Sequence, residues 1–292
     1  MSDELLAMFE SLDNDDSVVR EGYVRSMMNY TGCKDGSLPK LLPLLPYTDK
    51  WIDVFGGSGA VTAARRPVKL EVYNDRHSGL TAFYRALIHR PDELYDTIKL
   101  MVHSRELFAF SKETFEQDQD DVIRGAKWYF MVQSSFAGRG QYFGRVTKGR
   151  SNIWKKIQGN LDHFDALYDR FLKVQIENLS WQEIFKDYDD YDAVFYCDPP
   201  YVESNVYQHI MSKKDHILMC ERIFDLKGFV ALSGFENEIY NRFPWDSVHS
   251  WPVSNHVKTM AFTDRNNMTD RHTIIDRTEA RDEFLYIKEA SV

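Results

Sequence analysis

The sequence predicts an α/β fold in which a mostly parallel sheet carries an inserted, mainly helical lobe. The apolar and aromatic run at 191–197 is typical of a strand that is buried on both faces. The stretch 51–64 combines a strand, a glycine-rich turn and a helix start, and another strand follows at 68–73. Apolar residues at helical spacing over 76–117 predict the helices of the lobe.

Composition limits the compartment and the class of protein. The 292 residues, 43% of them hydrophobic, suit one large α/β domain with an insertion, or two lobes. No apolar run approaches the roughly 18 residues of a membrane span, and the first residues lack the features of a signal peptide. Three widely spaced cysteines indicate a reducing compartment. We predict a cytoplasmic protein without membrane contact and, because no metal-ligand spacing occurs, without a metal.

The strand at 191–197 ends at Asp198-Pro199-Pro200-Tyr201. Prolines do not continue a strand ladder, so this turn would present Asp198 at the carboxyl end of a central strand, where α/β sheets bind ligands. The Asp198 carboxylate and the Pro199 carbonyl, held in direction by Pro200, could accept the hydrogens of an exocyclic nucleobase amine. Tyr201 could stack on a base lifted out of a helix. The alternative is a structural turn around a buried aspartate.

The glycine-rich turn predicts a cofactor pocket. Its glycines would let the backbone turn tightly and approach a ligand closely. Roughly twenty residues further on, a strand ends in Asn74 and Asp75, and an acid at this offset can accept hydrogen bonds from ribose hydroxyls. The alternative is an ordinary connection between a strand and a helix.

Residues 122–160 form a basic segment with eight Lys and Arg, seven aromatic residues and no acid. The whole chain has a net charge of −9, so the remaining residues carry −17. This polarity would hold a phosphate backbone against one face of the molecule, while the aromatic side chains stack or wedge. The alternative is a solvated basic surface over core aromatics.

Three motifs resemble those of methyltransferases. The Asp-Pro-Pro-Tyr turn resembles motif IV of amino-methyltransferases, and Asp-x-Phe-x-Gly-x-Gly at 53–59 resembles motif I of class I methyltransferases. The stretch around Tyr30 and Lys34 resembles motif X of D12-class adenine methyltransferases. Over residues 27 to 288 the chain thus resembles the D12-class (Dam-like) DNA adenine-N6 methyltransferases. The resemblance implies a Rossmann-like, mostly parallel seven-stranded sheet and S-adenosylmethionine as the methyl donor.

The resemblance also implies an organisation and a set of site residues. It implies an N-terminal extension (1–26), a catalytic core (27–79 and 176–292) and a target-recognition lobe (80–175). The implied catalytic residues are Asp198, Pro199, Pro200 and Tyr201. The implied cofactor-binding residues are Tyr30, Lys34, Asp53, Phe55, Gly56, Gly57, Gly59, Asn74, Asp75 and Asp198. The implied DNA-binding residues are Arg124, Ser135, Phe136, Arg139, Tyr142, Arg145, Lys148, Arg150 and Lys155.

The sequence departs from the family pattern at three positions. Cys33 stands where the family has a smaller or hydroxyl residue, Ala137 replaces an asparagine, and Ser180 replaces an aspartate near the cofactor adenine. The last departure leaves open which group reads that adenine.

The expected activity is methylation of adenine N6, on a flipped-out base of double-stranded DNA, by a monomer or by a dimer on DNA. The alternatives are the same chemistry on RNA adenine or cytosine N4, and a catalytically silent fold that binds DNA. The recognition sequence is open, and GATC follows from the family alone. A bacterial cell or a phage-infected host is the expected setting. Finally, the polar residues 245–277 are expected to be irregular, and a last strand is expected at 283–287.

Overall fold

The computed structural model describes most of the chain. The described residues are 23–28, 30, 32–135, 138–146, 153–202, 211–253, 259–260, 274–275 and 281–291. Within these ranges, no helix is both long and apolar enough to pass through a membrane.

A seven-stranded sheet forms the centre of the molecule. The described strands are β1 (Lys50–Asp53), β2 (Leu70–Asn74), β3 (Val174–Glu177), β4 (Ala193–Cys197), β5 (Phe229–Phe235), β6 (Ser247–Val253), β7 (Thr259–Met260), β8 (Ile274–Ile275) and β9 (Arg281–Lys288). The large sheet has the order β3-β2-β1-β4-β5-β9-β6, and β7 pairs with β8 in a separate sheet. Strands β1 to β5 are parallel, and β9 is antiparallel to β5 and β6. The predicted fold class is confirmed.

Helices surround this sheet and form the insertion. The described helices are α1 (Leu38–Leu41), α2 (Ala60–Ala64), α3 (Ser78–His89), α4 (Pro91–Lys99), α5 (Arg105–Thr114), α6 (Asp121–Ser134), α7 (Ile153–Leu161), α8 (Phe164–Phe171), α9 (Trp181–Tyr188) and α10 (Lys213–Asp225). Two short 3-10 turns occur at Leu42–Leu44 and Tyr240–Arg242.

The order of the strands along the chain reverses between β1 and β4. From β1 the chain moves outward to β2 and β3, and it later returns to the other side of β1 for β4 and β5. At such a point the connections leave in opposite directions and open a crevice at the carboxyl ends of the strands. Asp53 ends β1 and Asp198 directly follows β4, so both lie at this crevice.

Side chains of the central strands alternate between two hydrophobic cores. Phe195 and Cys197 of β4 point to the face that α9 and α10 cover. Val194 and Tyr196 point to the opposite face, where α1 and α2 pack. Both faces are covered, which explains why β4 is apolar or aromatic at every position. Asp198 continues the parity of Val194 and Tyr196.

The helices α3 to α8 lie in the chain between β2 and β3. The helices expected over 76–117 are confirmed by α3, α4 and α5. At the contact between α3 and α6, a Cβ on Gly125 would lie 2.6 Å from the Phe83 backbone, so only glycine permits this approach. Trp128 and Tyr129 of the basic segment are fully buried in this core. These two aromatics therefore stabilise the helices.

A buried ion pair ties the last of these helices to the sheet. Arg170 of α8 donates two hydrogen bonds, of 2.8 and 2.6 Å, to the carboxylate oxygens of Glu71 in β2. Both side chains are nearly inaccessible, at 2% and 3% exposed. A planar, bidentate arrangement of this kind fixes the orientation of the two elements.

Strand β6 corrects the expectation of irregular structure from residue 245. It pairs with β9 at the edge of the sheet, and its side chains alternate between exposed and partly buried positions. Trp251 is buried. Pro252 has no backbone N–H to donate, and an edge strand tolerates it because some of its backbone groups have no partner strand. Such a strand need not be apolar, so composition alone misjudged it.

Candidate active site

The glycine-rich turn joins β1 to α2 and shapes one wall of a cavity. Gly57 and Gly59 have φ angles of +51° and +70°, which other residues rarely adopt. A Cβ on Gly59 would overlap the Tyr84 hydroxyl, and a Cβ on Gly56 would overlap the Tyr73 ring. These glycines allow close packing behind the turn, while the backbone of Gly57 borders the cavity.

Asp75 and Asn74, which follow one another at the end of β2, have different roles. The Asp75 carboxylate accepts hydrogen bonds from the backbone N–H groups of Gly57 (2.8 Å) and His77 (2.7 Å). Asn74 bonds to the backbone of Val54 and, in both directions, to that of Leu179. Both residues line the cavity. Asn74, at the end of β2, thus holds together the residues that follow β1 and β3. Asp75 fixes the glycine turn.

Asp53 is 1% exposed and ends β1 beneath the cavity. Its Oδ2 accepts a 2.7 Å hydrogen bond from Thr62, whose own oxygen accepts one from Trp51. Its Oδ1 has no partner among the described residues. Burial raises the pKa of Asp53 to about 7, since the charged form loses hydration, and the nearby carboxylates of Asp198 and Asp75 add to the rise.

The turn after β4 places the Asp198 carboxylate 2.9 Å from the Lys34 ammonium. Burial raises the pKa of Asp198 above its ordinary value, and the positive charge of Lys34 opposes this rise. Burial would by itself lower the pKa of Lys34, but the carboxylates of Asp198 and Glu283 raise it well above its ordinary value. Lys34 therefore stays a cation, with a side chain only 6% exposed.

Glu283 lies on β9, two strands from β4 in the sheet, and forms with Lys34, Asp198, Tyr201 and Ser233 what we call the Lys34 cluster. Its Oε1 accepts hydrogen bonds from Lys34 (2.6 Å), Tyr201 (2.8 Å) and Ser233 (2.7 Å). The Lys34 ammonium also donates to the Tyr201 hydroxyl. The Tyr201 ring meets Phe235 edge to face, with ring centroids 4.5 Å apart. Tyr201 is thus anchored at its hydroxyl and at its ring.

The cavity between these two turns has a volume of about 330 Å³, a size typical of small-molecule sites. Among the predicted cofactor residues, those that line it are Tyr30, Lys34, Phe55, Gly56, Gly57, Asn74, Asp75 and Asp198. Asp53 is buried behind this wall, and Gly59 packs on Tyr84. Of the predicted catalytic residues, Asp198 and Pro200 line the cavity. Pro199 is buried, and the Tyr201 hydroxyl accepts a hydrogen bond from Lys34.

The amino end of α9 also borders the cavity. Ser180 is its N-cap and forms a capping box: its hydroxyl accepts from the Glu183 backbone and contacts the Glu183 carboxylate at 2.6 Å. The side chain of Ser180 is therefore engaged in starting the helix. Leu179, Trp181 and Gln182 line the cavity beside it.

The predicted DNA-binding residues divide into packed and exposed groups. Arg124 donates to the Asp118 carbonyl, and the neighbouring Lys127 binds the Asp118 carboxylate and Thr114 at 2.8 Å each. These two basic residues of α6 are held by the helical lobe itself. Arg145 and Lys155 are exposed. Phe136, Lys148 and Arg150 lie outside the described residues.

The loop after α6 presents the remaining members of that set. The Ser135 hydroxyl accepts from Gly140 N–H at 2.8 Å and donates to the Val132 carbonyl at 3.0 Å, so it shapes the loop. Tyr142 is 63% exposed, with the Lys112 ammonium 5.7 Å from its ring centre. Arg139 is partly buried.

Tyr196 and Glu283 are among the residues of the site that sequence reasoning missed. The Tyr196 hydroxyl is buried beside the cavity and has no partner among the described residues. Strand alternation places Tyr196 on the same face as Asp198, so period-two counting could have found it. Glu283 shares the inward parity of Leu285 and Ile287, and an acid at an inward strand position signals a buried partner.

Comparison with known proteins agrees with this geometry. Residues 30–227 match the family model for the D12 class N6 adenine-specific DNA methyltransferase. The modification methylase LlaI of Lactococcus lactis subsp. lactis is 29% identical over 187 residues, which cover 61% of this chain and 30% of that protein. The modification methylase StsI of Streptococcus sanguinis is 22% identical over 191 residues, which cover 62% of this chain and 29% of that protein.

The chain spans about a third or less of the length of these relatives. The family match, however, covers more than half of the chain and includes both turns, Lys34 and Tyr201, whereas Ser233 and Glu283 lie beyond it. The chain belongs to the D12 class of N6 adenine-specific DNA methyltransferases.

Proposed function

We propose that the chain transfers a methyl group from S-adenosylmethionine to the N6 atom of an adenine in double-stranded DNA. One observation carries the proposal: the Asp198 carboxylate and the glycine turn border the same cavity, on opposite sides of the strand-order reversal. A methyl donor held by the glycine turn would then lie next to an amine bound at Asp198.

The residues of the cavity fit this cofactor. Asp53 Oδ1 and Tyr196 Oη are buried near the cavity and have no partner among the described residues, so a polar ligand could satisfy them. Asp75, whose carboxylate is fixed by the backbone N–H groups of Gly57 and His77, would accept hydrogen bonds from the ribose hydroxyls. Tyr30 would contact the methionine end. The bound cofactor supplies an electrophilic methyl group on a positively charged sulfur.

The Asp198 turn would activate and align the adenine amine. Asp198 and the Pro199 carbonyl accept its two hydrogens, which favours a pyramidal nitrogen with a localised lone pair. N6 would take the methyl group as its carbon–sulfur bond breaks and the sulfur leaves as a neutral thioether. The methylated nitrogen would then be acidic, and Asp198 would accept one of its protons. The raised pKa of Asp198 suits a group that accepts a proton near neutral pH.

The geometry of Tyr201 supports a stacking role for its ring. Its hydroxyl is bound by Lys34 and Glu283, and its ring rests on Phe235, so the ring keeps one orientation. An adenine taken out of the duplex could stack on such a fixed ring. The exposed Arg145 and Lys155 would meanwhile contact the phosphate backbone.

The modified nucleoside tests this proposal. The protein is incubated with tritium-labelled S-adenosylmethionine and either duplex DNA or RNA, and the products are digested to nucleosides and separated. We expect label only in N6-methyl-2′-deoxyadenosine, from the DNA sample. Label in N4-methylcytosine or in RNA would replace the proposed substrate by one of the alternatives. Cofactor and DNA binding without any transfer would identify a silent fold that binds DNA.

A further inference from the structure

The buried carboxylate of Glu283 lies outside the stretch that matches the family model, which ends at residue 227. It nevertheless contacts the candidate active site, because β9 inserts between β5 and β6 and carries Glu283 opposite Phe235. The Glu283 side chain is 6% exposed, although it is charged and lies in a sheet core. Charges are rarely buried unless they are paired, so this carboxylate requires an explanation.

Lys34 and Glu283 share a hydrogen-bond network with Tyr201. The Lys34 ammonium donates to Glu283 and to the Tyr201 hydroxyl. Asp198 Oδ1 lies 2.9 Å from the same ammonium as an ion pair and has no hydrogen-bond partner among the described residues. The Tyr201 hydroxyl, which accepts from Lys34, donates its own hydrogen to Glu283. Glu283 also accepts from Ser233, at 2.7 Å. One acid therefore holds both the cation beside Asp198 and the hydroxyl of the stacking ring.

The charges of this cluster are unbalanced. Lys34 contributes one positive charge, while Asp198 and Glu283 each contribute a negative charge when ionised. If Lys34 had Asp198 as its single partner, the pair would be neutral and the ammonium would compete with an amine for the carboxylate. Because Glu283 shares the ammonium, Asp198 keeps more of its capacity to accept hydrogen from a substrate.

We propose that Glu283 is a positioning residue of the methyl-transfer site, acting through Lys34 and Tyr201 on the Asp198 carboxylate. The inference rests on the proposed function, because its readout is adenine methylation. Glu283 holds the Lys34 ammonium away from full pairing with Asp198, and it fixes the Tyr201 hydroxyl so that the ring stays in place for the target base.

The charge of Glu283 also sets the acidity of Asp198. Among the described residues, the charged and titratable groups that interact electrostatically with Asp198 come from several elements: Lys34, Asp53, Tyr196, Cys197, Tyr201, Tyr240 and Glu283. Among them Glu283 raises the pKa of Asp198 by repulsion between like charges, and Lys34 lowers it. Removing the negative charge of Glu283 should therefore move the ionisation of Asp198 to lower pH.

Two variants separate the charge of Glu283 from its reach. Glu283→Gln keeps the size and removes the charge. We expect kcat for adenine methylation to fall about tenfold or more, and the acidic limb of the pH profile to move down by roughly half a unit or more, since one charge is lost within a few ångströms. Glu283→Asp keeps the charge and shortens the side chain, so kcat should fall while the acidic limb stays in place.

The control is Asp282→Asn, which removes the same charge from the neighbouring, exposed position of β9. It should leave both kcat and the acidic limb unchanged. Affinity for S-adenosylmethionine, measured by calorimetry, should change less than about threefold in both Glu283 variants, because the variants affect methyl transfer and not cofactor binding.

Several outcomes overturn the inference. One is wild-type kcat in Glu283→Gln, and another is a loss of kcat with an unmoved acidic limb, which would make Glu283 a packing residue. If Glu283→Gln does not fold, Glu283→Asp carries the test, and wild-type kcat in that variant refutes the positioning role. A wild-type protein that methylates no adenine contradicts the proposed function instead, so the two failures are distinguishable.

Discussion

At the scale of single residues, the candidate site depends on carboxylates whose surroundings differ. Asp198 faces a cation, Asp75 accepts from backbone N–H groups, and Asp53 keeps one oxygen without a partner among the described residues. An aspartate side chain can therefore pair with a cation, fix a turn or offer an oxygen to a polar ligand. Burial and neighbouring charge decide among these roles.

Asp198 provides the first prediction. Asp198→Asn keeps the volume but removes the acceptor charge, so methyl transfer should fall by about 100-fold or more. Affinity for S-adenosylmethionine should stay within a few-fold, because the glycine turn and Asp75 are unchanged. Single-turnover transfer and calorimetry measure the two quantities. Wild-type turnover of Asp198→Asn would show that Asp198 takes no part in methyl transfer.

Asp53 provides a prediction about stability and pH. Its pKa of about 7 in the folded protein exceeds the ordinary value of about 3.9, so the folded state binds the proton more tightly. The wild-type protein should consequently lose stability as the pH rises from about 4 to about 7, by on the order of 2–4 kcal/mol from this group. Asp53→Asn has no proton to lose, so its stability relative to wild type should rise over that range. Urea unfolding at pH 5 and pH 8 measures this, and a difference that is constant with pH would contradict it.

Some residue roles were accessible to sequence reasoning, and others were not. Asp198 and the glycines stand in local patterns that already imply a turn. The adenine-reading group, left open by Ser180, depends on how the amino end of α9 meets the cavity, where Ser180 is engaged as a helix cap. Glu283 pairs with a lysine 249 positions away, a distance at which no local pattern operates.

At the scale of elements, the turn between β1 and α2 is rigid because its glycines pack against rings. The Tyr84 hydroxyl donates to the Ser58 carbonyl at 2.5 Å, directly beside Gly59. Tyr73 likewise donates to the Gly57 carbonyl at 2.7 Å. The helix α3 thus supports the glycine turn from behind, since Tyr84 belongs to α3.

This packing gives a prediction for Gly59→Ala. The residue has a positive φ, and the new Cβ would overlap Tyr84, so we expect a loss of roughly 2–4 kcal/mol in unfolding free energy together with weaker cofactor binding. Gly36→Ala is the matched control, because a Cβ there meets no atom within 4 Å. Its stability should change by less than about 1 kcal/mol. Equal stability of the two variants, measured by urea unfolding, would show that the turn can relax.

The sequence predicted strands and helices correctly where the buried positions hold mostly apolar or aromatic residues. Strand β4 is apolar because both of its faces are covered, and the helix α3 keeps apolar residues at helical spacing. Strand β6 failed this criterion, because an edge strand mixes exposed and partly buried positions. Periodicity reports burial, so it identifies weakly buried elements poorly.

At the scale of the whole molecule, the basic segment is less uniformly exposed than its composition suggests. Arg124 and Lys127 are bound by Asp118, whereas Arg145 and Lys155 face the solvent. A net charge alone does not reveal which cations remain available to phosphates. The described exposed cations are the ones expected to set the salt dependence of DNA binding.

A salt titration tests this division. Arg145→Ala and Lys155→Ala should each weaken binding of duplex DNA and reduce the slope of log affinity against log salt by about 1, because each removes one phosphate contact. Lys69→Ala is the control: Lys69 is exposed and pairs with Asp49 at the amino ends of β2 and β1, opposite the carboxyl ends that border the cavity. Its slope should equal that of the wild type. An unchanged slope in both test variants would place the DNA elsewhere.

The sequence by itself determined the α/β class, the two turns and the helices of the insertion, because each is encoded by neighbouring residues through propensity and periodicity. Only the tertiary structure decided that β9 brings Glu283 to Lys34, that Tyr196 faces the cavity, and which basic side chains are already paired. These contacts join residues far apart in the chain. They depend on strand order and register, which local patterns do not specify.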